Sequence, residues 1–574
     1  MKQNKLFPKL ILGLAALMLC PLSASSTKDL ITYDYIIVGN GTAGATLARK
    51  LSDDKKTKVL VLERGINHDD DPLVLQTSGS DLAATWTTLS YNTKYSDTWA
   101  IAVLNPLQTT NYTVGRGWGG SSMHNYLDVV RGTPSIYDGW SAAAGDDSWN
   151  YNNLLPIMKA IENYTPNADA VFDAAQRGSG GPIQVTQTPS ITADALALAF
   201  ETPLNVGFVA DYNDPTLGTP GIGLGIGMGP YELFAYPGAF PGTTGDRSFS
   251  SNAFLPRSVI RKNGVAKDGR LLRIESNSTV SRVFFKGKKA HGVEFVYGDN
   301  PNKVIKALGK KIILCAGSVY TPAILQRSGI GDAALLNSLG IPVIVDNPNV
   351  GANFDNQYGP QVVVSGTTTS AAPSLQAFVN ASGTPALPAP YDYTADLPTN
   401  KRRLQFIASN IAPGLTNILA FIMDPQSKGS IEITSRDALV SPDINLAIYS
   451  DGAFTTHGTD ANLAVTFFKL LRQVAGITLP APLNTTVDDL DFYLYARSPS
   501  GMVVSSHISG SARMGQSAAD SVVNNRLEVF GVEGLYVGDL SVAPVIPDGN
   551  TCFAVYVIAM KLAEILGVPV VPAL

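Results

Sequence analysis

A β-type run, Tyr35-Ile36-Ile37-Val38, leads directly into Gly39, Gly41 and Gly44, the spacing G-x-G-x-x-G, within the stretch YDYIIVGNGTAGATLARKLSDDKKTKVLVLERG from Tyr33 to Gly65. Helix-forming residues follow from Ala45 to Leu51, and Lys55 to Lys58 makes a polar turn. Val59 to Leu62 is a second β-type run, and Glu63 closes it. A lone glycine pattern constrains little, but strand, turn, helix, strand and acid in this order predict a complete dinucleotide-binding unit. Gly39 permits the tight turn, Gly41 lets backbone approach a pyrophosphate, and Gly44 lets helix and strand pack closely. The helix N-terminus offers unpaired N–H groups to the phosphates. Glu63 suits ribose hydroxyls and repels a 2′-phosphate, so the expected ligand is NAD or FAD and not NADP.

A chain of 574 residues is long enough for at least two domains. Its 42 Lys and Arg are nearly balanced by 47 Asp and Glu, with no basic block. That gives no electrostatic reason to expect nucleic acid or an anionic membrane as partner. At the N-terminus, Lys2, Lys5 and Lys9 precede the apolar run Leu10 to Leu22, and small residues Ser23 to Ser26 follow. This is the layout of a cleaved secretory signal, 1–25, too short for a comfortable membrane span, so export and no stable membrane insertion are expected. Cys20 leaves with it. A lipid anchor there is disfavoured by the bulky Leu19. Cys315 and Cys552 remain, read as small buried hydrophobes or as one disulfide. With five scattered histidines, no metal cluster is expected, so redox chemistry needs an organic cofactor.

Four further blocks carry dense signal. Val114 to Trp140 begins VGRGWGGSSMHNYLDVVRG, a glycine-rich backbone able to lie flat against a large ligand. Gly245 to Leu255 reads GDRSFSSNAFL and precedes a β-rich stretch around Ile274 to Phe285. Lys311 to Gly331, KIILCAGSVYTPAILQRSGIG, reads as strand, small-residue turn and short helix. The tail holds SSHISGSARMG (Ser505 to Gly515) and LYVGDLSVAPVIPDGNT from Leu535, followed by an apolar helix from about Phe553.

In this conjunction and order the chain resembles the glucose-methanol-choline (GMC) flavoprotein oxidoreductases, from Tyr33 to Leu566. GGSSMHN stands for the family's GGSSxxN, VGANFDN for VGxNLQD and HISGSARMG for HPxGTxRMG. The resemblance implies an α/β fold: a Rossmann-like FAD-binding domain with an inserted α+β substrate domain built on an antiparallel sheet. The expected division is flavin domain at 30–165, 240–355 and 501–574, and substrate domain at 166–239 and 356–500. It implies FAD and oxidation of a small-molecule alcohol to a carbonyl, with hydride passing to flavin N5 and electrons onward to oxygen or another acceptor. A flavin-containing lyase of the hydroxynitrile type and a non-catalytic secreted flavoprotein stand as alternatives.

The resemblance places His507 on the catalytic base, a role that needs a pKa near working pH, and Asn550 as donor to the substrate oxygen. Its implied FAD shell is Gly39, Gly41, Thr42, Ala43, Gly44, Glu63, Arg64, Gly119, Ser121, His124, Asn125, Val280, Ala316, Gly538, Asp539, Asn550 and Thr551, with no metal. Alternatives stay open: a structural hydrogen bond for His507, a turn role for Asn550, a turn cap for Asp539. His124 stands where some relatives bond the flavin ring covalently; a non-covalent contact or a hydrogen bond behind the ring are the other readings. Ile508, Gly510-Ser511 and Asn356-Gln357 depart from the family pattern, which puts substrate preference in doubt before reaction class. His68, His291 and His457 are expected to face solvent. Tyr126, Trp140 and Tyr358 are candidate cavity aromatics more simply read as core.

Overall fold

The computed structural model describes residues 32–570 apart from 78–87, 90–91, 105–107, 169–171, 205, 218–226, 238–244, 299, 369–374, 380–401, 453–458 and 487. The signal-like segment and His457 lie outside the described residues.

The fingerprint folds as strand β1 (Thr32–Val38), helix α1 (Thr42–Leu51) and strand β2 (Val59–Leu62). β3 (Leu272–Glu275), β4 (Ser278–Lys286), β5 (Lys289–Tyr297) and β6 (Val304–Leu314) complete the main path of a sheet ordered β4-β5-β6-β1-β2-β3. β6, β1, β2 and β3 run parallel, and Leu535–Val537 adds in parallel to β6. β2 is buried along its length, and β1 and β6 are buried over their last residues, Ile36–Val38 and Ile312–Leu314, where the sheet is covered on both faces. Helix α2 (Gly317–Arg327) follows β6 directly, and the long apolar helix α3 (Cys552–Ile565) packs on α1. Three glycines let these layers close. A Cβ on Gly44 would stand 1.9 Å from the Gly39 carbonyl oxygen, and one on Gly538 would stand 2.9 Å from Leu562 and 3.0 Å from Leu47. Gly39 itself has φ +98°, and its Cβ would meet the Cys315 carbonyl oxygen at 2.4 Å.

A second sheet is antiparallel at its centre, built from β7 (Tyr358–Gly366), β8 (Leu375–Val379), β9 (Leu404–Ala412) and β10 (Leu415–Ile422) in the order β7-β10-β9-β8. Met502–Val504 pairs with β7 beside it. Alternation sets the two faces. Phe406, Ala408, Ile418 and Ala420 are buried in a core shared with the helix Thr459–Leu471, where the Phe406 and Phe467 rings lie 5.3 Å apart. The odd-numbered residues of β9 and β10 point the opposite way, toward the first sheet. Among the described residues, no helix is long and apolar enough to cross a membrane.

Candidate active site

Parallel pairing brings four strand ends to one level. Val38 is in register with both Leu62 and Leu314, and Leu314 with Val537. The residues that follow them, Gly39, Glu63, Cys315-Ala316 and Gly538-Asp539, therefore arrive at one edge of the sheet, where ligands of open α/β sheets bind. There, a cavity of about 1030 Å³ opens between this edge and the odd-numbered face of the antiparallel sheet.

Fourteen of the seventeen residues expected in the cofactor and catalytic shell other than His507 line this cavity: Gly39, Gly41, Thr42, Ala43, Glu63, Arg64, Ser121, His124, Asn125, Val280, Ala316, Asp539, Asn550 and Thr551. His507 lines it too. Gly44, Gly119 and Gly538 do not. Gly44 and Gly538 are packing glycines, and a Cβ on Gly119 (φ +98°) would strike the Phe249 ring at 2.6 Å.

The cradle suits a dinucleotide. No side chain caps the first turn of α1, so its N–H groups remain for phosphate oxygens. Gly120 (φ +52°) brings its backbone so close to Gly41 that a Cβ would sit 2.8 Å from the Gly41 Cα, leaving the wall free of side-chain bulk. Glu63 accepts from Asn40 N and Gly65 N, both at 2.7 Å, which fixes the carboxylate at the cavity wall. Burial nevertheless raises its pKa. Arg64 is paired with Asp97 at 3.1 Å and bonded to the Tyr320 hydroxyl. Asp539 does cap the following turn: its carboxylate accepts from Ser541 N at 3.0 Å and Oγ at 2.6 Å, and from Gly317 N and Thr321 Oγ1 at 2.9 and 2.6 Å. It also lines the cavity, so the two expected roles are not exclusive.

His124 ends the short 3₁₀ turn Gly120–Met123 and is buried. Desolvation, then the nearby Arg247 charge, push its pKa down to about 4, so the imidazole is neutral at pH 7. Next to it, Asn125 is held by Arg247, whose Nη1 donates to the backbone oxygen at 2.7 Å and to Oδ1 at 2.6 Å.

His507 and Asn550 stand together in the same cavity, with Asn550 Nδ2 at 3.4 Å from His507 Nε2. Two glutamines fix what this pair presents. Gln357 Nε2 donates to the Pro547 carbonyl at 2.7 Å, which turns Gln357 Oε1 toward His507 Nδ1 at 2.6 Å. An amide oxygen only accepts, so Nδ1 carries the proton and Nε2 keeps its lone pair. Gln405 Nε2 donates to Asn550 Oδ1 at 2.9 Å, which leaves the Asn550 NH₂ facing His507. The pair thus offers one acceptor and one donor side by side. Desolvation holds the His507 pKa down at about 4, below the near-working-pH value expected of the base, and keeps the imidazole neutral at pH 7. Asn356 completes the support: Oδ1 accepts from His507 N at 3.0 Å and Ser505 Oγ at 2.9 Å, while Nδ2 donates to the Ser505 carbonyl at 2.8 Å.

Several expectations are corrected. His68 is buried, not solvent-facing, because its ring packs on Tyr95 at 4.8 Å and Nε2 lies 3.1 Å from the Lys94 carbonyl. His291 is half-buried, its ring edge-on to Phe284 at 5.9 Å. Both cysteines are free, which removes the disulfide. Of the three candidate aromatics, Tyr126 lines the cavity. Trp140 and Tyr358 are core residues whose polar atoms are spent on the Val545 carbonyl (2.7 Å) and Asp460 (2.6 Å). Sequence reasoning missed Gln405 entirely and saw Asn356-Gln357 only as a departure from a motif. That departure was the available signal.

Residues 33–359 and 425–559 match the two family models described as GMC oxidoreductase. Among relatives, the GMC oxidoreductase family protein Mala s 12 of Malassezia sympodialis is 28% identical, the match covering 93% of this chain and 92% of that protein. The 5-(hydroxymethyl)furfural oxidase of Methylovorus sp. is 27% identical, covering 93% and 98%. Of solved structures, pyridoxine 4-oxidase from Mesorbium loti superposes with a TM-score of 0.73 at 23% identity, covering 93% and 99%.

Proposed function

The chain belongs to the GMC oxidoreductase family and is an FAD-dependent enzyme of that type, and from this premise we propose that it oxidises the CH–OH group of a small-molecule alcohol to a carbonyl, with His507 as base and Asn550 as donor to the alcohol oxygen. The carrying observation is the complementary pair at 3.4 Å, one lone pair on His507 Nε2 and one N–H on Asn550 Nδ2, both oriented by glutamines. An alcohol O–H donates to the first while its oxygen accepts from the second. As the proton moves to Nε2, the imidazolium Nδ1–H bond to Gln357 Oε1 becomes charge-assisted and strengthens. Asn550 meanwhile stabilises negative charge on the oxygen. Bound FAD supplies the two-electron acceptor, and oxygen or another acceptor then takes the electrons. The name of the Methylovorus relative, an oxidase of a hydroxymethyl compound, supports the same reaction class.

His507→Ala is expected to slow anaerobic flavin bleaching by alcohol on the order of 10² to 10⁴-fold while FAD stays bound. A wild-type bleaching rate would sink the assignment. For His124, which lines the cavity, we propose contact with the flavin, and covalent attachment is the form of that contact to be tested. Acid precipitation then carries the yellow colour down with the protein, and colour left in the supernatant refutes it. We also propose export after removal of 1–25, tested by N-terminal sequencing of the mature protein.

A further inference from the structure

The antiparallel sheet presents its odd-numbered residues to the cavity in rows fixed by strand register. Gln405 is paired with Phe421, Ile407 with Leu419, and Ser409 with Asn417, while Gln361 of β7 flanks Leu419. The deepest row is at the reaction centre, since Gln405 holds Asn550 and the Phe421 ring lies 5.8 Å from that of His507. Exposure increases away from it: Phe421 is 9% exposed, whereas Ile411 beyond the third row is 56% exposed. Successive rows are about 7 Å apart along the strands.

A molecule entering from the mouth therefore crosses neutral polar groups, then an apolar belt, then the proton-handling pair. No charged side chain stands in these rows. The nearest cavity carboxyl, Asp128, already accepts from Tyr212 Oη at 3.1 Å and from Gln405 Nε2 at 3.4 Å.

We infer that the substrate is an uncharged alcohol whose carbinol carbon carries an apolar body of about ring size, seated on Phe421, Ile407 and Leu419. Cationic amino-alcohols and polyhydroxylated sugars do not match this face. A cation meets no charged side chain in these rows, and a sugar leaves the hydroxyls opposite the belt unpaired. The inference rests on the alcohol-oxidation reading and refines it.

The test is anaerobic flavin reduction of the FAD-loaded enzyme by benzyl alcohol, choline, glucose and ethanol. Benzyl alcohol should exceed each of the others in kcat/KM by roughly 10²-fold. Leu419→Asp should reduce that preference to within about tenfold, and Leu419→Ser, the milder change, should reduce it in part. Choline or glucose equalling benzyl alcohol, or variants that bind FAD yet keep the full preference, would overturn the substrate class and leave alcohol oxidation standing. Failure of every alcohol to bleach a flavin that dithionite still reduces would overturn the alcohol-oxidation reading, and this inference with it.

Discussion

The two walls of the cavity are built on opposite plans. The parallel-sheet wall is made of backbone: strand ends at one level, glycines where a Cβ would collide, and an uncapped helix start. The antiparallel wall is made of side chains, and what each one faces is set by pairing across strands. The first plan suits a large invariant ligand, because backbone N–H groups and the absence of bulk do not depend on neighbouring residue identity. The second suits a variable one, since an odd-numbered residue of β9 or β10 can change without disturbing the buried even-numbered face.

The sharpest way to break the first wall is Gly39→Ala. With φ +98° and the new Cβ 2.4 Å from the Cys315 carbonyl, strain of about 3 to 5 kcal/mol falls on the loop that should hold the pyrophosphate. The expected outcome is a colourless purified protein with no alcohol-dependent turnover, read from flavin absorbance. A yellow, active variant would show that this backbone is not what holds the cofactor.

On the second wall, Gln357→Leu removes the acceptor for His507 Nδ1 and leaves FAD binding intact. Bleaching should slow on the order of 10²-fold, as expected when a base loses the partner that fixes its tautomer. Gln357→Glu separates positioning from packing. A carboxylate beside Nδ1–H favours the imidazolium, so the acid limb of the kcat/KM profile should move up from near pH 4 by roughly 1 to 3 units. An unmoved limb in Gln357→Glu assigns Gln357 a purely structural part.

A smaller effect concerns stability. His124 and His507 both have folded pKa values pushed down to about 4 from an ordinary 6.5. The unfolded chain therefore binds more protons between those limits. The stability these groups confer as neutral imidazoles is complete above about pH 6.5 and is lost as pH falls toward about 4. Asp128 and Asp355, pushed up mainly by burial to about 7 and about 6, act in the opposite sense. The His507 share is isolated by difference: the Tm drop from pH 7 to pH 5 should be smaller in a His507→Asn variant than in the parent. Equal drops would contradict the buried neutral state.

The contrast between the walls also explains what could be read from the chain. The βαβ unit was legible because its strand, glycines, helix and acid lie within 33 consecutive residues, Tyr33 to Gly65, and their local order dictates their packing. His507 and Asn550 were legible only by resemblance. Gln405 was not legible, since it meets Asn550 from 145 positions away in sequence, by way of a strand whose register no local pattern reveals. His68 was misread for a related reason. Its acidic neighbours suggested solvent, but its ring is covered by Tyr95 from another segment. Gln357 stood in plain view as a deviation, and only the Pro547 carbonyl, 190 positions on, gives that deviation a purpose.

The parallel sheet does not close until Leu535–Val537 docks on β6, and Asp539, Asn550 and Thr551 follow that strand. A ribosome-bound chain lacking its final forty residues has only part of the cofactor cradle. A chain truncated upstream of that last strand is therefore expected to lose flavin binding and not merely turnover, read from flavin absorbance of the purified protein.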